Sequence, residues 1–294
     1  MNKRVFVIIV TYNGAQWMQR NLQSLRESDY PVEVIVVDNN STDSTLEKIG
    51  DFPEVMLIRS AENLGFGKAN TIGIKKALEA GADYLFLLNQ DTWVYPATIG
   101  HLVTTQMDNP EYGIVSPVHL GPDEKIQDAN FAQYLSRKTA QKGDVVTVPF
   151  VNAAAWLVSR ICIETVGSFE PLFGHYGEDR NYSDRVHYHK FKIGIALDAI
   201  ICHDRTISRS FKKDVIQSQY TILATLLDIN YSFTQSSLRA LKAVVGLPKY
   251  FVRFYGFAMA LKLFVRLAWY YFKTILNLRA LQHARAHARK SPVL

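Results

Sequence analysis

The first hundred residues switch repeatedly between two hydrophobic periods, and that alternation limits the fold more than any other feature of the chain. Apolar, β-branched runs at Arg4–Val10, Val32–Val37, Val55–Ile58 and Tyr84–Leu88 read as strands. Helical patterns fill the gaps at Ala15–Glu27, Ser44–Ile49 and Lys68–Ala80, the second beginning in a Ser/Thr/Asp cluster suited to capping. Strands separated by helices pair in parallel, so the pattern predicts an α/β fold: a mostly parallel sheet with helices on both faces. At 294 residues the chain has room for one large domain and an appendage.

Parallel strands present their carboxyl ends at one edge of the sheet, and ligands bind there. The first strand is followed by Thr11-Tyr12-Asn13 and the second by Asp38-Asn39-Asn40-Ser41. Beyond the third comes Asn63-Leu64-Gly65-Phe66-Gly67, and after the fourth Asn89-Gln90-Asp91. Any one such cluster is ordinary loop chemistry. Successive clusters at one edge predict a polar cleft.

Further along, a strand is expected at Val145–Phe150, leading into the small residues Ala153, Ala154 and Ala155 before Trp156. The acidic pair Glu178-Asp179 follows, then a strand at Lys192–Ile201 ending at His203, and a helix over Val215–Asn230.

Several familiar chemistries fail on spacing. A phosphate loop around Gly65-Phe66-Gly67-Lys68 needs Gly at Glu62 and Ser or Thr at Ala69, and a dinucleotide fingerprint needs Gly at Asn70. A calcium loop starting at Asp38 would need Gly at Asp43 and Glu at Ile49. His187 and His189 stand two apart, a pattern shared by zinc ligands and by ordinary surface or core histidines. Cys162 and Cys202 are too few for a disulfide scaffold and suit a reducing cytosol. The run Val5–Val10 is too short for a secretory core. A nucleotidyltransferase would need a basic triphosphate loop soon after the first strand, and Thr11–Gly14 contains no Lys or Arg.

Taken together, the segments Val10-Thr11-Tyr12-Asn13, Val36 to Asp43, Asn63-x-Gly65-x-Gly67-x-x-Asn70, Leu88-Asn89-Gln90-Asp91, Glu178-Asp179-x-Asn181-x-x-x-Arg185 and His203 resemble the family 2 glycosyltransferases. These are inverting enzymes of the GT-A fold, and the resemblance covers roughly residues 4 to 210. Within the family, the Asn-x-Gly-Phe and Asn-x-Asp forms look like the rhamnosyltransferase-like branch, which commonly uses dTDP-rhamnose; a UDP-sugar is the other donor class. The resemblance implies that Thr11, Tyr12, Asn13, Asp38, Asn40, Asn63, Gly65, Asn70, Asn89 and Gln90 hold the nucleotide-sugar, with Asp38 accepting the pyrimidine N3–H. Tyr12 has the alternative of packing on the sheet edge.

The same resemblance assigns Mg²⁺ or Mn²⁺ to Asp91 and His203, in a site that bridges the donor phosphates. Asn89 replaces the first carboxylate of the common Asp-x-Asp, so metal affinity should be weaker; for His203 the bland reading is a half-buried imidazole bonded to backbone. Asp179 is the implied general base, with Glu178 either raising its pKa or orienting the acceptor. Trp156 is an acceptor platform or a core residue. Arg185 orients the carboxylates or ties the helix by an ion pair. The acceptor class is a glycan or a lipid-linked glycan of the cell envelope. The rival function is a non-catalytic sugar- or membrane-binding protein on a decayed scaffold.

Charge divides the chain near Asp228, the last acidic residue. Beyond it stand eleven Lys or Arg and no acid, whereas residues 1–228 carry 22 basic and 27 acidic side chains. The expected organisation is a catalytic region over 1–228 and a helical basic tail over 229–294. No stretch of the tail has the ~18–20 apolar residues of a spanning helix. A helix over Gly256–Leu278 would gather Lys262, Arg266 and Lys273 on one face and Phe264, Leu267, Ala268 and Tyr271 on the other. That pattern suits an anionic membrane surface; the alternatives are packing on the catalytic region or on a second subunit of a homo-oligomer. Nucleic acid is disfavoured, because no recognition motif accompanies the tail's aromatics. The expected location is the cytoplasm, peripheral on the inner face of the membrane, with a frayed end at His283–Lys290.

Overall fold

The computed structural model describes residues 3–174, 176–205 and 209–290. The first half is β1 (Val5–Thr11), α1 (Ala15–Arg26), β2 (Val32–Asp38), α2 (Thr45–Gly50), β3 (Met56–Arg59), α3 (Phe66–Glu79) and β4 (Tyr84–Asn89). Then come β5 (Thr92–Val94), α4 (Thr98–Asp108), β6 (Tyr112–Leu120), α5 (Ala129–Leu135), β7 (Ala140–Lys142), β8 (Val145–Thr147), β9 (Ala155–Ser159) and α6 (Arg160–Val166). The chain continues through α7 (Glu178–Tyr188), β10 (Lys192–His203), α8 (Phe211–Leu227), α9 (Phe233–Leu276) and α10 (Leu278–Arg289).

The strands form one sheet in the order β3-β2-β1-β4-β9-β6-β10-β8-β7, with β5 on the end of β10. β1 to β4 are mutually parallel where they pair, and β6 is parallel to β10. β9 inserts antiparallel between β4 and β6, and β8 and β7 extend the antiparallel side. Both faces are covered. Phe6 and Ile8 of β1 pack with Ala69, Ile74 and Ala77 of α3, while Val5, Val7 and Ile9 pack with Met18, Leu22 and Leu25 of α1. A strand buried on both sides loses the polar alternation of a surface strand, which is why β1 and β4 read as continuous apolar runs. Each such side chain contributes about 1.5–3 kcal/mol by leaving water.

Four strands lay outside the sequence reading, β5, β6, β7 and β9, and the expected strand at Val145–Phe150 stops at Thr147, two residues before Pro149, which has no N–H to give a ladder. β9 corrects the acceptor role of Trp156. The indole is fully buried in the middle of that strand, packed near Tyr182, and no acceptor reaches it. Arg185 is likewise removed from the acceptor set. It is buried in α7, and its guanidinium donates to the carbonyls of Ser168 and Val166, pinning the end of α6 rather than pairing with a carboxylate.

The tail is helical and packs on the body. Leu263, Leu267 and Tyr271 of α9 join Val215, Ile222 and Leu226 of α8 in one cluster. Gly256 breaks α9 (φ 73°), and the second half folds back so that the Tyr271 hydroxyl donates to Ser237 O at 3.2 Å. The end at His283–Lys290 is not frayed: through Arg289 it is α10, and Arg285 is buried. Its guanidinium donates to Leu226 O, Asp228 O and Tyr231 O, three carbonyls left open where α8 ends. His187 and His189 each bring Nε2 to a backbone carbonyl, of Pro149 and Ala288, and among the described residues neither belongs to a group of three His, Cys, Asp or Glu that could hold a metal.

Candidate active site

Strand register aligns the polar clusters. Thr11 stands opposite Asp38, and Val10 opposite Asn89, so the loops after β1, β2 and β4 leave the sheet side by side. Gln90 ties two of them together: its Oε1 accepts from the Thr11 hydroxyl at 2.7 Å and from Tyr12 N at 2.9 Å. Asn13, at φ 48°, accepts from Thr42 N at 2.8 Å through its side chain, bracing the β1 and β2 loops. Tyr12, Asn63, Gly65, Asn89, Gln90 and Asp91 line one cleft together with Asn39 and Phe66. Tyr12 is 45% exposed there, so its ring is not packed on the sheet.

Other residues of the predicted donor set make contacts within the scaffold. Asp38 is buried and its carboxylate accepts from Ser41 N at 3.1 Å. Asn70 is buried inside α3 and donates to Phe66 O. Asn40 is exposed at φ 66° and shapes the turn. None of these three, nor Thr11 or Asn13, lines the cleft. Asn39, absent from the sequence-derived set, does the joining: it donates to Gly65 O and accepts from Leu64 N.

Gly65 has φ 78°, and a Cβ built on it would lie 2.0 Å from Gly174 O. Only glycine allows this approach, which brings the Asn63–Gly67 loop against the segment leading to Glu178. Gly177, at φ 87°, turns the chain into α7 and sets Glu178 and Asp179 in its first turn.

Asp91 and His203 are 112 positions apart in sequence and meet because β5 pairs with the end of β10, His203 opposite Thr92. The His203 Nε2 lies 3.4 Å from Asp91 Oδ1, and its buried Nδ1 has no hydrogen-bond partner among the described residues. Among the described residues no third His, Cys, Asp or Glu completes a cluster with them. One carboxylate and one imidazole fit a hard divalent ion that takes its remaining ligands from elsewhere. Behind His203 lies His119, buried in β6 with ring centroids 5.8 Å apart; burial holds its pKa well below the ordinary imidazole range, with His203 adding to the effect.

Asn89, Asp91, His203, Glu178 and Asp179 line a common cavity of about 350 Å³. Arg205, Lys213 and Gln217, which sequence reasoning missed, and the Asn152-Ala153-Ala154 backbone complete its wall. Burial pushes the Glu178 carboxyl up to about 7, and the charge of Asp179 adds to it. Burial also raises Asp179, outweighing hydrogen bonds from the Arg180 and Ala153 N–H groups. Raised carboxylates beside a cationic wall are the electrostatics of acid–base chemistry on an anionic ligand.

A β3-β2-β1-β4 parallel half, a mixed second half and a polar cleft at the carboxyl edge make up a GT-A-like fold. The sequence matches Glycosyl transferase family 2 over residues 6–167, more than half its length, and the chain belongs to that family. A dTDP-rhamnosyl transferase of Shigella flexneri is 33% identical over 126 residues, which is 42% of this chain and 41% of that protein. An N-acetylglucosaminyl-diphospho-decaprenol L-rhamnosyltransferase of Mycobacterium tuberculosis is 26% identical over 212 residues, 61% of this chain and 69% of that one. In fold, a mannosyltransferase of Pyrobaculum calidifontis, solved with GDP-Man and Mn²⁺, superposes with a TM-score of 0.60 at 18% identity over 98% of this chain and 87% of that one.

Proposed function

We propose that the protein transfers a sugar, with rhamnose favoured, from a nucleotide-diphosphate donor to a glycan or lipid-linked acceptor, inverting the anomeric carbon. The observation that carries this reading is the single cavity shared by Asp179 and the Asp91–His203 pair. The names of the Shigella and Mycobacterium relatives favour dTDP-rhamnose and a lipid-diphosphate glycan. Asp179 takes the proton of the acceptor hydroxyl as that oxygen attacks the anomeric carbon, and the bond from that carbon to the diphosphate oxygen breaks. Its raised pKa makes it a stronger base than an exposed aspartate. Arg205 and Lys213 stabilise the charge gathering on the departing diphosphate. Asp91 and His203 would hold Mg²⁺ or Mn²⁺, which supplies further positive charge to the diphosphate.

In this reading residues 1–228 carry the donor chemistry and the basic tail holds the protein on the inner face of the cell membrane. No helix among the described residues is long and apolar enough to cross a membrane. What supports surface attachment is a third face of α9. Phe257, Leu261, Val265, Trp269, Phe272 and Leu276, spaced by four or three, are all exposed, with Trp269 at 72% and Leu276 at 87%. Exposed Lys262, Arg266 and Lys273 border this stripe, a combination suited to anionic headgroups.

The deciding experiment is calorimetric titration with dTDP-rhamnose, UDP-glucose, UDP-galactose and GDP-mannose, each with Mg²⁺ or Mn²⁺ and again with chelator, on wild type and Asp179→Asn. One donor should bind with metal to both proteins, and only wild type should transfer. Loss of all nucleotide binding on a folded sample would remove the catalytic reading.

A further inference from the structure

Asp179 stands where two cavities meet. On one side is the cavity containing Asn89, Asp91 and His203. On the other, a larger space of about 580 Å³ lies between α7 and α8 and reaches Arg239 of α9. Tyr176, Gly177, Asp179 and Gln217 belong to both walls, so the two spaces adjoin at the carboxylate. We propose that this second cavity is the acceptor site, and that it takes a neutral sugar residue with one hydroxyl presented to Asp179. The proposal rests on the reading of Asp179 as general base.

The lining chemistry identifies the occupant. Asp184, Gln217, Thr221 and Thr225 offer a carboxylate, an amide and hydroxyls, while Phe150 and Tyr220 contribute rings. A pyranose has that same division between hydroxyl edges and a C–H face. Asp184 keeps acceptor capacity, because Arg180 Nε approaches one of its two carboxylate oxygens, Oδ1, at 3.4 Å. Burial pushes this carboxyl up to about 7, with Asp228 and Asp179 adding to the shift, so a hydroxyl donor there relieves an unfavourable charge. A phosphate is disfavoured, because it would meet three carboxylates, Asp179, Asp184 and Asp228, against the guanidiniums of Arg180 and Arg239. Those carboxylates also exclude a lipid chain.

The cavity's position in the chain agrees. Apart from Phe150, every residue of its wall lies beyond residue 167, where the family match ends. The donor loops, by contrast, fall inside the match. The acceptor side is therefore built from this chain's own C-terminal half, and Arg239 draws the tail into it.

The test uses the full chain with saturating dTDP and Mg²⁺, and reads saturation-transfer NMR from methyl α-L-rhamnoside, methyl N-acetyl-β-glucosaminide and methyl β-galactoside. At least one glycoside should bind saturably. Thr221→Trp, at an exposed helix position, should weaken it tenfold or more while dTDP affinity by calorimetry changes less than twofold. Asp184→Asn, nearly isosteric, should weaken it threefold or more and serves if the tryptophan variant does not fold. A protein that binds dTDP but no glycoside of the panel, or variants that bind the glycoside as wild type does, would overturn the proposal. Failure of dTDP, UDP and GDP alike to bind overturns the donor reading and this proposal with it.

Discussion

Replacing Gly65 by Ala tests the joint between the donor loop and the α7 loop. Gly65 sits at φ 78° and ψ 175°, a region essentially restricted to glycine, where a side chain costs about 1–3 kcal/mol in backbone strain. The added Cβ would lie 2.0 Å from Gly174 O, far inside contact distance, so the two loops must part by more than about 1 Å. Relieving such overpacking costs a further ~1–3 kcal/mol. The total, about 2–6 kcal/mol, is a large share of the ~5–15 kcal/mol that holds a domain together. Urea unfolding should show a lowered midpoint, and dTDP calorimetry a weaker affinity, because separation of the loops opens the cleft. Gly50→Ala is the control: nothing lies within 4 Å of its added Cβ, φ is ordinary, and stability should hold or rise by up to ~1 kcal/mol. If Gly65→Ala matched wild type within about 0.5 kcal/mol in both measurements, the loop-to-loop contact would not exist as described.

Glu178 gives a pH prediction. Burial lifts its carboxyl from the ordinary 4.5 up to about 7, so its protonation favours the fold fully below that lower value and the benefit is lost as pH rises through about 7. Urea midpoints at about pH 5 and 8 should therefore differ less in Glu178→Gln than in wild type; an unchanged difference refutes the shift. Arg285→Met keeps bulk but strips donors from Leu226 O, Asp228 O and Tyr231 O, and should cost about 1–3 kcal/mol and expose α10 to protease. A loss under ~1 kcal/mol would mean that α10 is not docked by this residue. Trp269→Glu with Phe272→Glu should abolish co-sedimentation with phosphatidylglycerol vesicles, and wild-type binding should weaken as salt rises. Equal binding by the double variant would remove α9 from any membrane contact.

The parallel half of the fold was legible because period changes survive burial: β1 to β4 and the helices between them follow the sequence pattern closely. β6 and β9 were not, since strands inserted between others carry no alternation, and Ala155–Ser159 looks like a run of small residues before an aromatic. That segment does reach the cavity, but through Asn152, Ala153 and Ala154; Trp156 is carried into the core by the strand that starts at Ala155. The residues Asp91 and His203 were found by motif, yet their meeting depends on the three-residue β5, too short to have a period. Lys213 and Gln217 carried no signal, because only the path of α8 past α7 turns them toward the cleft, and Arg205 reaches it from the segment just after β10. For the tail, the basic face was readable and the division of its apolar residues was not. Leu263, Leu267 and Tyr271 face α8 while Phe257, Val265 and Trp269 face outward, and only the fold-back at Gly256 decides which is which.

The joint at Gly65 also bears on how the proposed reaction stays productive. Asn39 grips Gly65 O and Leu64 N from the end of β2, and Gly65 in turn abuts Gly174, three residues before the turn that aims Asp179. Nucleotide contacts in the cleft and the placement of the proposed base are thus linked through backbone packed too closely to move independently. A donor that orders the Asn63–Gly67 loop would steady the α7 loop as well, holding Asp179 between the two cavities before the acceptor arrives. Ordering of this kind favours transfer over loss of the sugar to water, because the carboxylate is aligned with the acceptor side at Gln217 and Thr221 rather than left mobile at the mouth.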